Sequence, residues 1–248
     1  MKVAAIYDIH GNLPALEAVL AEIRRLSVEL VIVGGDVLPG PMPRETLDLL
    51  RELELPKQFI RGNGDREVLT RMEGTENRHL PESVRAAIHW NAQQLQQEDA
   101  DCVATWPLTF RLEVEGLGEV LFCHATPRND TEIFTCLTTE DRLVPVFAEA
   151  KASLVICGHT HMQFDRIIGQ TRVMNAGSVG MPFGLPGADW LLLDSTAQLL
   201  HTAYDLEAAA ARIRVTAYPQ AEEFAAGHVI RPPSGAEMLE RFAAMELG

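Results

Sequence analysis

Short apolar runs in this chain end repeatedly in a glycine-rich or acidic break that carries histidine, asparagine or aspartate. Residues 3–7 stop at Asp8-Ile9-His10-Gly11-Asn12, residues 30–33 at Gly34-Gly35-Asp36, and residues 58–61 at Gly62-Asn63-Gly64-Asp65. An apolar run of four or five residues closed by such a break reads as a buried strand feeding a loop. Helical spacing follows the first break, through Leu13, Leu16, Leu20 and Ile23, with Val19 and Leu26 widening the stripe and Pro14 suited to a first turn. It returns after the second at Leu47, Leu49, Leu50 and Leu53. Three strand–loop–helix units in a row predict parallel strands joined by right-handed crossovers.

The pattern then changes. Residues 81–95 read as a helix, and residues 108–114 and 119–123 as a hairpin around Gly116-Leu117-Gly118, ending at His124. A helical stripe at Leu143, Val146, Phe147 and Ala150 precedes an apolar strand, 154–157, closed by Gly158-His159-Thr160-His161. Shorter strands are expected at 164–168, 172–174, 190–193 and 199–204 as an antiparallel meander, then a helix at 206–214 and a tail rich in Pro, Ala and Glu. No linker or repeat divides the chain, and its 248 residues fall within the ~200–250 that one α/β domain can occupy. The expectation is one domain over residues 1–248, with 205–248 as a C-terminal helical extension, built from two mixed sheets packed face to face under outer helices.

Composition narrows the class. With 47% hydrophobic and 23% charged residues, the chain can bury a core, which excludes disorder. A formal net charge of -14 repels polyanions, so no long nucleic acid is expected as a partner. No apolar stretch approaches the ~20 residues of a membrane span, and Asp8 arrives too early for a signal-peptide core. The protein is therefore expected to be cytoplasmic and to have no membrane partner. Cys102, Cys123, Cys136 and Cys157 lack CxxC spacing and read as reduced thiols.

Seven polar residues share one kind of position. Asp8, His10, Asp36, Asn63, His124, His159 and His161 all follow apolar strands, and in α/β sheets the strand ends converge on a crevice. Taken singly, Asp36 reads as a cap or turn residue, Gly62-Asn63-Gly64-Asp65 as an ordinary turn, and His124 as a core histidine. The His-x-His pair at 159 and 161 is the strongest single piece. Together they predict one site of oxygen and nitrogen donors suited to Mn²⁺, Fe, Ni²⁺ or Zn²⁺, and not a structural zinc.

Asp8-Ile9-His10, Gly35-Asp36, Gly62-Asn63, His124 and Gly158-His159-Thr160-His161 occur in the order found in the calcineurin-like metallophosphoesterases. From Lys2 to about Tyr204 the chain most resembles the small bacterial phosphodiesterase branch, and Asn175-Ala176-Gly177-Ser178-Val179-Gly180 also looks like that branch's motif. The resemblance implies a four-layer αββα sandwich of two mixed β-sheets. It also implies two divalent metal ions, Mn²⁺ foremost, one held by Asp8, His10, Asp36 and His161 and the other by Asp36, Asn63, His124 and His159. Asp36 would bridge them, and catalysis would rest on Asp36, Asn63 and His124. Four metal charges against two carboxylates leave the site net positive, so it can capture a phosphate despite the acidic surface. Hydrolysis of a small phosphate ester, nucleotide-derived esters included, by a hydroxide activated between the metals follows from the resemblance.

One position departs from the family pattern. Many members carry histidine where this chain has Gly64, and that histidine is assigned to the leaving group; general acid assistance is typically worth ~10²–10⁴-fold. Its absence favours substrates with good leaving groups. Asp65 reads as a cap for a segment starting at Arg66, Arg128 as an exposed salt-bridging residue in preference to a phosphate contact, and His79 as a surface residue. Hydrolysis of dinucleoside polyphosphates is the alternative within enzymes. A non-catalytic scaffold, as in the retromer subunit resembling this family, is the alternative outside them; nothing in the pattern excludes a homo-oligomer.

Overall fold

The two N-terminal apolar runs and the half-polar third, at 58–61, become strands of one sheet in the computed structural model, which describes residues 1–245 and 247. They are β1 (Val3–Ile6), β2 (Leu30–Val33) and β3 (Lys57–Phe59), separated and followed by α1 (Leu13–Arg25), α2 (Pro43–Glu52) and α3 (Asn63–Met72). Two helices, α4 (Glu82–Gln94) and α5 (Gln97–Ala104), lead to the hairpin of β4 (Thr109–Val114) and β5 (Gly118–Cys123). Next come α6 (Glu140–Phe147), continued by a 3₁₀ turn (Ala148–Ala150), and β6 (Leu154–Cys157), β7 (Phe164–Ile168), β8 (Thr171–Asn175), β9 (Ala188–Leu193) and β10 (Ala197–Thr202). The chain closes with α7 (Leu206–Arg214), α8 (Ala221–Phe224) running into a π-helical turn (Ala225–Ile230), and α9 (Gly235–Ala243).

The strands form two mixed five-stranded sheets, ordered β10-β9-β1-β2-β3 and β4-β5-β6-β8-β7. β1 is apolar throughout because both of its faces are covered. Val3, Ala5 and Tyr7 face the second sheet, in one cluster with Phe122, Ile156 and Met174, whereas Ala4 and Ile6 join Leu16, Leu20 and Ile23 of α1 in another. Behind the second sheet, Leu121, Val155 and Val173 pack with Leu143 and Phe147 of α6. The order helix, sheet, sheet, helix is the four-layer αββα sandwich expected. The Tyr7 hydroxyl donates to the Ile156 carbonyl at 3.1 Å, tying the sheets together next to Asp8.

The expected meander is replaced by two hairpins in different sheets. β7 and β8 pair in the second sheet, while β9 leaves to pair antiparallel with β1, Val3 opposite Leu193, and β10 follows it. Alternation and turn spacing describe hairpins equally well in either sheet, so the sequence does not distribute them. α5 has no counterpart in the apolar pattern, because its eight residues are half polar and include one large aliphatic side chain, Val103; it is fixed by Asp99, whose carboxylate accepts from the Gln96 amide at 2.8 Å and from Arg51 at 2.5 Å. α3 begins at Asn63, earlier than the Arg66 expected, which changes the role of Asp65.

Residues 206–243 are docked against the strand ends. Ala209, Ala210, Ile213, Phe224, Ala225 and Val229 form a separate core with Met42, against which Leu13 and Met181 pack. No helix among the described residues is long and apolar enough to cross a membrane.

Candidate metal centre

The backbone brings the seven residues together by carrying the parallel ladder past the strand ends. The Asp8 amide donates to the Gly35 carbonyl at 3.0 Å, the His10 amide to Asp36 at 2.9 Å, and the Gly158 amide to His124 at 2.8 Å. Beyond these bonds the chain turns sharply. Asp8, His10, Asp36, His159 and His161 all adopt left-handed backbone, with φ of 52°, 47°, 52°, 68° and 57°. Such conformations cost side-chain-bearing residues roughly 1–3 kcal/mol each and persist where the surroundings over-determine them. In this crevice all five point their side chains inward.

Two clusters result. Asp8, His10 and His161 each offer a ligand atom within 4.8 Å of the others, and so do Asp36, His124 and His159. In the first, His10 Nδ1 lies 3.2 Å from the Pro39 carbonyl and His161 Nδ1 lies 2.9 Å from that of Met181. Both Nε2 atoms thus turn inward, 3.2 Å apart. In the second, His124 Nδ1 is held by the Gly34 carbonyl at 3.0 Å and His159 Nε2 by that of Thr131 at 3.2 Å, so opposite nitrogens of the two rings turn inward. Backbone carbonyls that fix the far nitrogen are the usual brace of a ligating histidine. Asp36 spans both groups, with Oδ1 3.5 Å from His124 Nε2 and Oδ2 3.7 Å from His10 Nε2.

Two features fit this crevice to cations. Asp8 Oδ1 is buried with no hydrogen-bond partner. An oxygen in that position costs about 1–3 kcal/mol unless something positive meets it. Asn63 Oδ1 faces His159 Nδ1 at 2.9 Å and His124 Nε2 at 3.1 Å, an orientation opposite to the one hydrogen bonding alone would select. A carbonyl oxygen converging with two imidazole nitrogens is the arrangement of a ligand set. Carboxylate, carboxamide and imidazole donors suit first-row divalent ions.

Electrostatics in the crevice is governed by burial and pairing. Burial alone would raise Asp8 and Asp36, yet both lie below the usual carboxylate range, Asp8 through His161 and His124, Asp36 through His124 and His10. Burial opposes charge on His124 too, but Asp36 and Asp8 raise it to about 10. Half-buried His159 is lowered to about 4 by desolvation in the crevice and by neighbouring His124. Asp65, expected as a cap only, supports Asp36. Its carboxylate accepts from the amides of Asp36 at 2.9 Å, Leu38 at 3.0 Å and Gly62 at 3.0 Å, and burial with Asp36 nearby raises it to about 7.

Gly64 is filled in by the main chain. Its amide donates to Asp36 Oδ1 at 2.7 Å, and a Cβ built on it would fall against the Leu38 carbonyl oxygen and within 2.9 Å of Pro39 Cδ. The segment after Asp36 thus occupies the place where a side chain would stand. Arg128 is paired with Glu132, and His79 is exposed. His228, in the π-helical turn, lies beside the first cluster, a placement that the sequence pattern does not reveal. Burial, then His161 and His10, lower it to about 4, and it lines one cavity with His10. A lone histidine in an alanine-rich tail carries no local signal of this.

A sequence model described as the calcineurin-like phosphoesterase superfamily domain matches residues 1–198. An uncharacterized protein of Methanocaldococcus jannaschii is 28% identical over 239 residues, 88% of this chain and 94% of that protein. A hypothetical protein from Pyrococcus horikoshii is similar in structure with a TM-score of 0.79 and 20% identity, covering 94% of this chain and 99% of its own. A metallophosphoesterase from Sphaerobacter thermophilus aligns with a TM-score of 0.71 and 25% identity, covering 92% and 99%.

Proposed function

The chain belongs to the calcineurin-like phosphoesterase superfamily, whose members are metal-dependent phosphoric ester hydrolases, and on that premise we propose that it is a phosphodiesterase acting on small esters with good leaving groups. Two divalent ions, Mn²⁺ foremost, would be held by Asp8, His10, Asp36 and His161 and by Asp36, Asn63, His124 and His159. The observation that carries this reading is Asp36, one oxygen turned to each imidazole cluster, beside Asp8 Oδ1, which accepts no hydrogen bond and faces His161 Nε2 at 3.4 Å. When bound, a pair of such ions acidifies water and takes up charge on phosphoryl oxygens.

The chain's own residues set the rest. Asp65 and the Gly64 amide hold Asp36 in place, and the carbonyls of Pro39, Met181, Gly34 and Thr131 fix the four imidazoles. No side chain stands at Gly64 to protonate a departing oxygen, which supports esters whose leaving group is stable as an anion. A dinucleoside polyphosphate also meets that condition. However, the cavity that opens on His10 is lined by no lysine or arginine among the described residues, which supports a diester over a polyphosphate. A scaffold role is the weaker reading, because all seven positions keep ligand-forming side chains.

The test is reconstitution. Protein stripped of metal and re-supplied with Mn²⁺ is expected to bind two ions per chain by elemental analysis and to hydrolyse bis(p-nitrophenyl) phosphate, with Asp36→Ala inactive. Metal-loaded wild type that is inactive across a broad panel of phosphate esters, or binds less than one ion under saturating supply, overturns the proposal.

A further inference from the structure

We propose that the C-terminal extension builds the pocket for the organic part of the substrate, and that this pocket takes a flat aromatic group of the nucleobase kind. The inference rests on the phosphodiesterase reading above and deepens it. A cavity of about 370 Å³ is lined by His10, by Val84 of α4, by Tyr218 and Phe224 of the extension and by Met181. That volume lies within the range of small-molecule sites. It shares His10 with the first cluster, so a phosphate held at the metals places its ester substituent at the mouth.

The walls select the occupant. Tyr218 is held edge-on to Trp90, ring centres 5.4 Å apart, and edge-on to Phe224 at 6.1 Å, which fixes an aromatic wall in advance of binding. Among the described residues the only carboxylate lining the cavity is Glu223, and no lysine or arginine lines it, so a second phosphate there would meet repulsion. A sugar alone would leave the aromatic wall bare. His228 also lines the cavity and stands against Phe224 at 5.3 Å, adding a polar ring to the apolar surfaces. The helix is widened to π geometry across Ala225–Ile230, a rare form that is found frequently at functional sites.

The extension is also fastened to the metal side. Phe183 stacks on His161 at 5.3 Å and meets Phe242 of α9 at 6.1 Å, and the Gly184 amide donates to the Pro233 carbonyl at 2.9 Å. The pocket and the ligand histidines are therefore parts of one packed unit.

Calorimetric titration of the Mn²⁺-loaded full chain with inorganic phosphate, ribose 5-phosphate and adenosine 5′-monophosphate tests this. The adenine compound is expected to bind at least about tenfold more tightly than ribose 5-phosphate. Val84→Trp, which fills the cavity, and Tyr218→Leu, which keeps an apolar side chain but removes the ring, are expected to bring that ratio close to one. Retained thermal melting and binding of phosphate certify that each variant is folded. No gain from the base in the wild type, or a gain that survives both variants, overturns the pocket while leaving the phosphodiesterase reading intact. Failure of every phosphate compound to bind, together with inactivity on all esters, removes both.

Discussion

Around Asp8, His10 and His161 the imidazoles are braced by Pro39 and Met181, on loops that border the C-terminal extension. Around Asp36, His124 and His159 they are braced by Gly34, deep at a strand end, and by Thr131, in the loop after β5. The donors are nearly the same, but the settings differ. His124 is 1% exposed and faces Asn63 at the start of α3, the helix that also carries Arg66, paired with Asp130; His159 is half-buried. His10, at 9%, opens on the apolar cavity. The proposed pocket implies a division of labour: the second cluster would anchor, and the first would meet the part of the substrate that differs between esters.

The largest effect that could break this comparison comes from the residue common to both sides. Asp36→Ala is expected to lose both ions and all hydrolysis, read by elemental analysis and by ester turnover; retention of either ion would show the clusters to be independent. Next in size, His161→Ala and His159→Ala are each expected to lower the bound metal from two ions to one per chain, with the partner cluster still loaded. Loss of both ions from either variant would mean that one cluster templates the other. Asp65→Ala leaves three buried amides without an acceptor and is expected to cost about 1–3 kcal/mol for each of them in denaturant unfolding. Metal affinity should fall roughly 10–100-fold, the usual range for groups that orient ligands. The smallest effect is assigned to Arg66→Ala. Its guanidinium bonds Asp130 at 2.8 Å and is partly exposed, so the expected loss is under about 1 kcal/mol, with KM for a small diester unchanged. A large KM effect would move substrate recognition to the anchoring side.

Much of this arrangement is legible in the sequence, for identifiable reasons. A buried parallel strand must be apolar on both faces, so the break at Asp8, Asp36 or His159 marks the strand end and hence the crevice. The helix–sheet–sheet–helix layering follows from the same runs. Other parts depend on contacts that no local pattern encodes. β9 pairs with β1 because Leu191 and Leu193 complete the inter-sheet core, a partnership separated by nearly the whole chain. Asp65 reads as a cap because its acceptor bonds to Asp36 and Leu38 reach back to a loop that is near only in space. His228 and Tyr218 are illegible as site residues, since only docking of the extension brings them to His10.

Gly64 bears on how chains of this type can change. Because the main chain from Leu38 to Pro39 already fills the neighbouring volume, Gly64→His is expected to destabilise the fold and to add no acid assistance, as judged by melting temperature and by rates on poor leaving groups. The exchange between a chain with a side chain there and this one cannot proceed by one substitution through a well-folded intermediate. The loop must open first, or the two changes must arrive together. Such positions are epistatic, and a residue transplanted into them from a relative carries its chemistry only if its surroundings travel with it.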